Sequence, residues 1–337
     1  MEWDYVGNEW AVNMLRQQVA QGSTRHAYIL AGPDGLGKRT LALRFIQSLN
    51  CIKAEGNGNP CLECRSCRQI EAMQYSDLQV VEKLEDKSEI RKEQVDEVNR
   101  FLSLSPYESK SKASILIDFQ SASVEAQNAL LKTLEEAPGN SMIIITVDSV
   151  DNLLPTTISR CEVLTLRPLP ARDVAFALAS RLNVEGQLAE LLGHISGGRF
   201  GYARLLAEEP DLLEQRSTWL DEWIDVFGMT RVQRFKYIEN KLSRRMELKK
   251  QREMLGGMID CWTSLTRDIL LATNTTVAGP MNIDRKEDIV RLAARLGSGK
   301  STRIIRSLEQ ASNRIDRYYN PRLVMEMLML EVGRDEK

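Results

Sequence analysis

The sequence predicts an α/β domain with a mainly parallel sheet, then a small helical unit, then an all-α third part. Three observations carry that expectation. Up to residue 167, short apolar runs alternate with stretches of helical periodicity, the pattern of a parallel sheet covered on both faces. A glycine-rich loop stands between the first apolar run and the helix that follows it. Beyond Pro168-Leu169-Pro170 only helical periodicity is found.

Residues 8–22 carry Val12, Leu15 and Val19 at helical spacing and stop at Gly22. Ala27 to Ala31 reads as a strand, Thr40 to Leu49 as a helix, and Asp77 to Val81 as the next strand. Ile90 to Leu102 reads as a helix with Val95 and Val98 on one face. Ser114 to Asp118 is a buried strand ending in an acid, and Ser123 to Ala137 a helix closed by Pro138-Gly139. Ser141 to Val147 is a strand, Leu153 to Ser159 a short helix or turn, and Val163 to Leu166 the last strand. Residues 171–208 form a small helical unit around Ser196-Gly197-Gly198. Glu209-Pro210 is the next joint, and 211–335 is a helical bundle interrupted near Asn274 to Pro280. The expected domains are therefore 1–167, 168–208 and 209–337.

Composition narrows the function. The chain of 337 residues is 43% hydrophobic and 27% charged, ordinary for a globular protein with real cores. A net charge of -2 argues against coating nucleic acid by bulk charge. No apolar run reaches membrane length, and the acidic start Met1-Glu2-Trp3-Asp4 lacks a signal segment, so a cytoplasmic protein is expected. The segment Arg231 to Arg252 holds nine Lys/Arg against two Glu. It reads as a solvated helix face, with DNA or subunit contact as the other reading.

Gly32-Pro33-Asp34-Gly35-Leu36-Gly37-Lys38 matches a phosphate loop. Its glycines let backbone amides turn toward phosphate oxygens, Lys38 reaches the terminal phosphates, and the next helix points its N-terminus at the anion. The position after the lysine should be Ser or Thr, to ligate magnesium. Here it is Arg39, with Thr40 one residue late. Asp118 stands where a metal-associated aspartate belongs, but Phe119 follows where a water-activating glutamate is expected. Hydrolysis needs a metal and a positioned water, and both supports are weakened. ATP binding is left open.

Four of the six cysteines fall at Cys51, Cys61, Cys64 and Cys67. The two-residue gaps let successive thiolates converge on one ion, and the longer loop brings Cys51 to a fourth corner. A structural Zn2+ is expected, with a closed thiolate shell and no open catalytic position.

Ser159-Arg160-Cys161 follows Pro155-Thr156-Thr157. An arginine there is ordinarily a surface residue, but the helix before it changes the reading. Ala126-Gln127-Asn128-Ala129-Leu130-Leu131-Lys132-Thr133-Leu134-Glu135-Glu136-Ala137-Pro138 resembles the helix preceding that motif in AAA+ clamp-loader subunits. His26-Ala27, the run Gly37-Lys38-Arg39-Thr40-Leu41-Ala42 and the cysteine spacing resemble the delta-prime branch of that family. The resemblance spans roughly residues 5–206.

That resemblance implies a RecA-like AAA+ domain, a small helical lid, and a helical collar through which five subunits form an open ring. It implies as partners the gamma/tau ATPase and delta subunits, the sliding clamp and primer-template DNA, with no membrane. It also implies that Arg160 enters a neighbour's ATP site as an arginine finger. Gly201 or Tyr202 stands where an active subunit carries a second sensing arginine, with Arg199 and Arg204 close but out of place. Thr146 matches the first sensor position loosely. The competing reading is a gamma/tau-type ATPase of the same complex, which a complete Gly-Lys-Thr loop and an Asp-Glu pair would favour. An unrelated zinc-bearing nucleic-acid binder explains neither the loop nor the 126–138 segment.

Overall fold

The computed structural model describes residues 3–84, 89–242, 246–274 and 279–333. Met1 and Glu2 of the acidic N-terminus, residues 243–245 of the basic segment and 275–278 of the expected interruption lie outside them. By its internal contacts the chain divides into two compact units. One takes in the chain up to Ala177 together with Gly198–Tyr202, the other Leu178–Gly197 together with Ala203 onward.

The first unit is built on five parallel strands: β1 (Ala27–Ala31), β2 (Leu78–Val81), β3 (Lys112–Leu116), β4 (Ser141–Val147) and β5 (Glu162–Thr165). Their order is β2-β3-β4-β1-β5. β1 lies between β4 and β5, with Ala27 opposite Ile143 and Tyr28 opposite Glu162. Both faces are covered, which is why the strands are apolar without alternation. Tyr28, Leu30, Met142 and Ile144 enter one core. Ala27, Ile29, Ala31, Ile143, Ile145 and Val147 enter the other, as the two-residue period of a strand requires.

Among the described residues, the helices that lie wholly within this unit are α1 (Glu9–Gln21), α2 (Lys38–Asn50), α3 (Arg65–Glu71), α4 (Lys92–Ser103), α5 (Val124–Glu135) and α6 (Pro155–Ile158). Local chemistry sets their ends. Gly22, at φ 63°, closes α1 by donating to the Gln18 and Val19 carbonyls. The Ser123 hydroxyl accepts the Ala126 N–H and starts α5. Val95 and Val98 are fully buried on α4.

Two expectations shift. β3 ends at Leu116, so Asp118 is not a strand residue. It lies at φ 51°, opening the short 3-10 turn Phe119–Ser121. α3, directly after the cysteines, is not expected from the sequence.

The remaining helices are α7 (Ala171–Leu182), α8 (Gly186–Ile195), α9 (Phe200–Glu208), α10 (Pro210–Val226), α11 (Arg231–Lys241), α12 (Leu248–Thr273), α13 (Lys286–Asp316) and α14 (Pro321–Val332). α13 kinks at Gly297, whose φ of 68° and ψ of 172° break the helical path. The core of the second unit centres on Trp223 and Trp262, stacked at 4.3 Å and 12°. Both indoles have acceptors: Trp223 donates to Thr266 Oγ1 at 3.0 Å and Trp262 to the Trp219 carbonyl at 2.8 Å. Buried Asp268 accepts the backbone N–H groups of Met281 and Asn282 and the Asn282 amide, fixing that loop on α12.

The basic segment is not one solvated face. Arg234 is 2% exposed and donates to the Val226 carbonyl, and Lys241 pairs with Glu222. Arg231, Lys236, Lys249 and Lys250 are exposed.

Candidate functional site

The C-terminal end of β1 runs into the phosphate loop, and α2 begins at Lys38. This is the crevice at the carboxyl ends of parallel strands where ligands bind in such sheets. The loop is braced from two sides. Tyr5 donates its hydroxyl to the Leu36 carbonyl at 2.7 Å, and its ring would stand 3.0 Å from a Cβ at Gly37, which has φ 85°. The Gly201 N–H donates to the Gly35 carbonyl at 2.8 Å, and a Cβ at Gly35 would meet Tyr202 at 3.1 Å. Glycine is needed at both positions for its φ and for the space.

Lys38 is only 6% exposed, and its ammonium is already bonded. It donates to the Gly32 carbonyl at 2.6 Å, Asp148 Oδ1 at 2.8 Å and Asp34 Oδ1 at 3.1 Å. Asp118 joins them: oxygens of Asp34, Asp118 and Asp148 all lie within 4.8 Å of one another. Burial raises the Asp118 carboxyl above its ordinary value, and the charges of Asp34 and Asp148 add to this while Lys38 opposes it. Gln120 donates to Asp148 Oδ2, and the Asp118 N–H donates to Thr146 Oγ1.

The structure thus brings Gly32, Gly35, Gly37, Lys38 and Asp118 together, and it adds Asp34 and Asp148, which the sequence reading did not single out. Both were open to suspicion, Asp34 as a loop residue and Asp148 as the residue just past a central strand. Arg39 turns away toward Met73, with Glu82 at 3.9 Å, and Thr40 is exposed on α2. Phe119 is fully buried against the sheet.

The four cysteines converge. Cys51 caps the end of α2 and Cys64 caps the start of α3. Their Sγ atoms and those of Cys61 and Cys67 lie within 4.8 Å of one another, with Cys51 and Cys64 at 4.0 Å. A tetrahedral zinc with Zn–S bonds near 2.3 Å needs sulfurs about 3.8 Å apart, so the group has room for the ion. Backbone N–H groups of Cys61, Cys64 and Cys67 point at the sulfurs of Cys51, Cys61 and Cys64, the donors that negative thiolates need. Burial opposes ionisation of Cys64, but N–H groups of Cys67 and Ile52, together with the thiols of Cys67 and Cys61, bring that thiol down to about 6, while burial pushes the Cys51 and Cys67 thiols up. The lead loop of this module is anchored: Trp3 donates its indole N–H to the Gly58 carbonyl at 3.1 Å, and a Cβ at Gly58 would fall 2.2 Å from the Arg16 carbonyl.

Arg160 follows α6, with a side chain 31% exposed. Its Nε donates to Glu135 Oε1 at 2.9 Å, and Nη2 bonds the same oxygen. Nη1 donates to the Thr156 carbonyl at 2.7 Å and to Ser159 Oγ at 3.3 Å. Its hydrogen-bond partners include no group of the phosphate loop.

A phosphate loop on this parallel sheet defines a P-loop protein of the RecA-like AAA+ class. Over residues 7–170 the chain matches the family described as DNA polymerase III, delta subunit. It is 26% identical over 324 residues to DNA polymerase III subunit delta' of Bacillus subtilis, covering 96% of this chain and 95% of that one. It is 32% identical over 191 residues to the delta' subunit of Pseudomonas aeruginosa, covering 56% of this chain and 58% of that relative. A gamma subunit-related protein from Thermotoga maritima shares the fold at a TM-score of 0.51 and 15% identity, over 95% of this chain and 99% of that one. In the family match and along nearly its whole length the chain is similar to delta' subunits of DNA polymerase III.

Among the described residues no helix is long and apolar enough to cross a membrane.

Proposed function

We propose that the chain serves a cytoplasmic bacterial clamp loader as a binding subunit that does not turn over ATP. It assembles with the gamma/tau ATPase and delta subunits, helps place the sliding clamp on primer-template DNA, and lends Arg160 to a neighbour's ATP site. Residues 1–167 act as the AAA+ domain, 168–208 as lid and 209–337 as collar. Zinc, when bound by Cys51, Cys61, Cys64 and Cys67, cross-links the module at the end of α2.

The observation that carries this reading is the state of Lys38. Its ammonium is held by the carboxylates of Asp34 and Asp148, in the place a phosphate loop offers to a nucleotide. With Asp118 the pocket holds three acids around one cation, an environment that repels a triphosphate. Arg39 removes the loop's hydroxyl ligand for magnesium, and Phe119 leaves no base for water at the usual position. These facts disfavour the gamma/tau-type reading, which requires turnover in this chain.

Reconstitution with the ATPase and delta subunits tests the proposal through DNA- and clamp-stimulated ATP turnover. The pure chain should show none. Arg160→Ala should assemble normally and lower stimulated turnover sharply, because an arginine supplied in trans is worth roughly 10³–10⁵ at the site it serves. Arg160→Lys should rescue poorly, since lysine keeps the charge but loses the planar fork. Robust turnover by the pure chain that Lys38→Ala abolishes would move the assignment to the ATPase.

A further inference from the structure

The contact between Arg160 and Glu135 has a consequence for the reaction at a neighbour's site. We infer that Glu135 is a latch for Arg160: it holds the guanidinium parked in the resting subunit and must release it before the arginine can act in trans. The inference rests on the trans-arginine reading of Arg160 and goes beyond it.

The geometry gives the reason. Arg160 uses Nε and Nη2 on a single carboxylate oxygen of Glu135, and Nη1 on the Thr156 carbonyl and Ser159 Oγ. All three guanidinium nitrogens are therefore engaged. Nε and Nη2 form an edge of the fork that can take two oxygens of a phosphate or carboxylate side by side. Glu135 thus occupies an edge that a γ-phosphate would need. A carboxylate left on that edge would also cancel the cation's charge and repel the incoming phosphate.

The place of the pair argues that its role is not stability. Arg160 is 31% exposed and Glu135 51% exposed, and exposed pairs add little to folding. Weakness suits a latch, because phosphate bearing several charges outcompetes one solvated carboxylate. Glu135 is the last residue of α5 and Arg160 follows α6. A displacement of α5 would change the grip on the arginine without touching its backbone.

Glu135 is thus a positioning residue, and its test reads the Arg160-dependent part of turnover. Reconstituted complexes carrying wild-type chain, Glu135→Gln, Arg160→Ala or both are assayed for ATP turnover with and without clamp and DNA. Glutamine keeps the shape and an acceptor but removes the charge. Basal turnover of the wild-type complex, less that of the Arg160→Ala complex, is the Arg160-dependent part. Glu135→Gln should raise it about two- to fivefold, the range open to an exposed ion pair, while fully stimulated turnover stays within about twofold. The double variant should match Arg160→Ala alone. A lower or unchanged Arg160-dependent basal rate in Glu135→Gln, with Arg160→Ala still impaired, overturns the latch and spares the trans-arginine reading. Unimpaired stimulated turnover in Arg160→Ala overturns that reading and the latch with it. Melting temperature and assembly are measured on each variant, and a rise in basal rate that persists in the double variant also rejects the latch.

Discussion

At the residue scale the phosphate loop is a cation site closed on itself. Asp34 and Asp148 are 70% and 45% exposed, whereas Lys38 is 6% exposed, so the acids stand at the mouth and the ammonium beneath them. Replacing both acids by asparagine keeps the hydrogen bonds and removes two charges. The double variant Asp34→Asn/Asp148→Asn should bind tripolyphosphate or ADP at least tenfold more tightly than wild type, read by calorimetry, and adding Lys38→Ala should abolish the gain. Turnover should stay absent, because Arg39 still stands where the magnesium ligand belongs. Asp77 shows the opposite arrangement, a carboxylate buried to 1% exposure. Burial drives its carboxyl up, but N–H groups of Tyr107, Glu108 and Ser109 outweigh that and hold it below the ordinary value. A depressed carboxyl contributes its stability in full above the unfolded value near pH 4 and loses it as pH falls through the folded value. Asp77→Asn should therefore cost about 2–3 kcal/mol at pH 7. The gap to wild type should narrow in denaturant melts below pH 4, and a gap independent of pH would refute the assignment.

At the element scale the legibility of the fold followed burial. β1 and β4 were readable to the residue because both faces are buried and their runs are short and apolar. β3 was read two residues late, because Ile117 and Asp118 continue its apolar-then-acid pattern while Asp118 turns into the left-handed region. The motif residues stood out for their chemistry: Gly32, Lys38, the four cysteines and the Ser159-Arg160-Cys161 stretch. Asp148, Tyr5 and Glu135 did not, since their roles arise from contacts across tens of residues. α3 was missed for another reason. Seven residues make a marginal helix by themselves, and this one is held by Cys64 at its start, by Gln47 donating to the Cys67 carbonyl, and by Arg44 paired with Glu71. One zinc per chain is expected. Its removal by chelator under reducing conditions, or Cys64→Ser, should therefore raise amide exchange across 51–71 while the strands stay protected. Zinc contributes roughly 10–16 kcal/mol in small modules, but here α2 and the sheet share the load. Purified chain with no zinc under chelator-free, reducing conditions would remove the metal from the account.

At the scale of the whole molecule the two units have separate cores, and they divide the tryptophans. Of the five, Trp3 lies in the first core and Trp10 is exposed on α1. Trp223 and Trp262 stack inside the second unit, with Trp219 packed against them. If each core is sufficient for its own unit, damage to one should leave the other standing. Trp262 is fully buried and donates to the Trp219 carbonyl, so Trp262→Ala removes a large side chain together with that hydrogen bond. Such a change costs about 3–5 kcal/mol, a large share of the stability of one domain. The expected result is loss of the near-ultraviolet signal of the stacked indoles, a lower first melting transition, and failure to assemble with the ATPase and delta subunits. The zinc complement and the exchange protection of β1 and β4 should stay at wild-type levels, because neither depends on the second core. Melting by fluorescence should then precede melting by strand exchange in the variant. Simultaneous loss of zinc and of sheet protection in Trp262→Ala would mean that the units fold as one cooperative body.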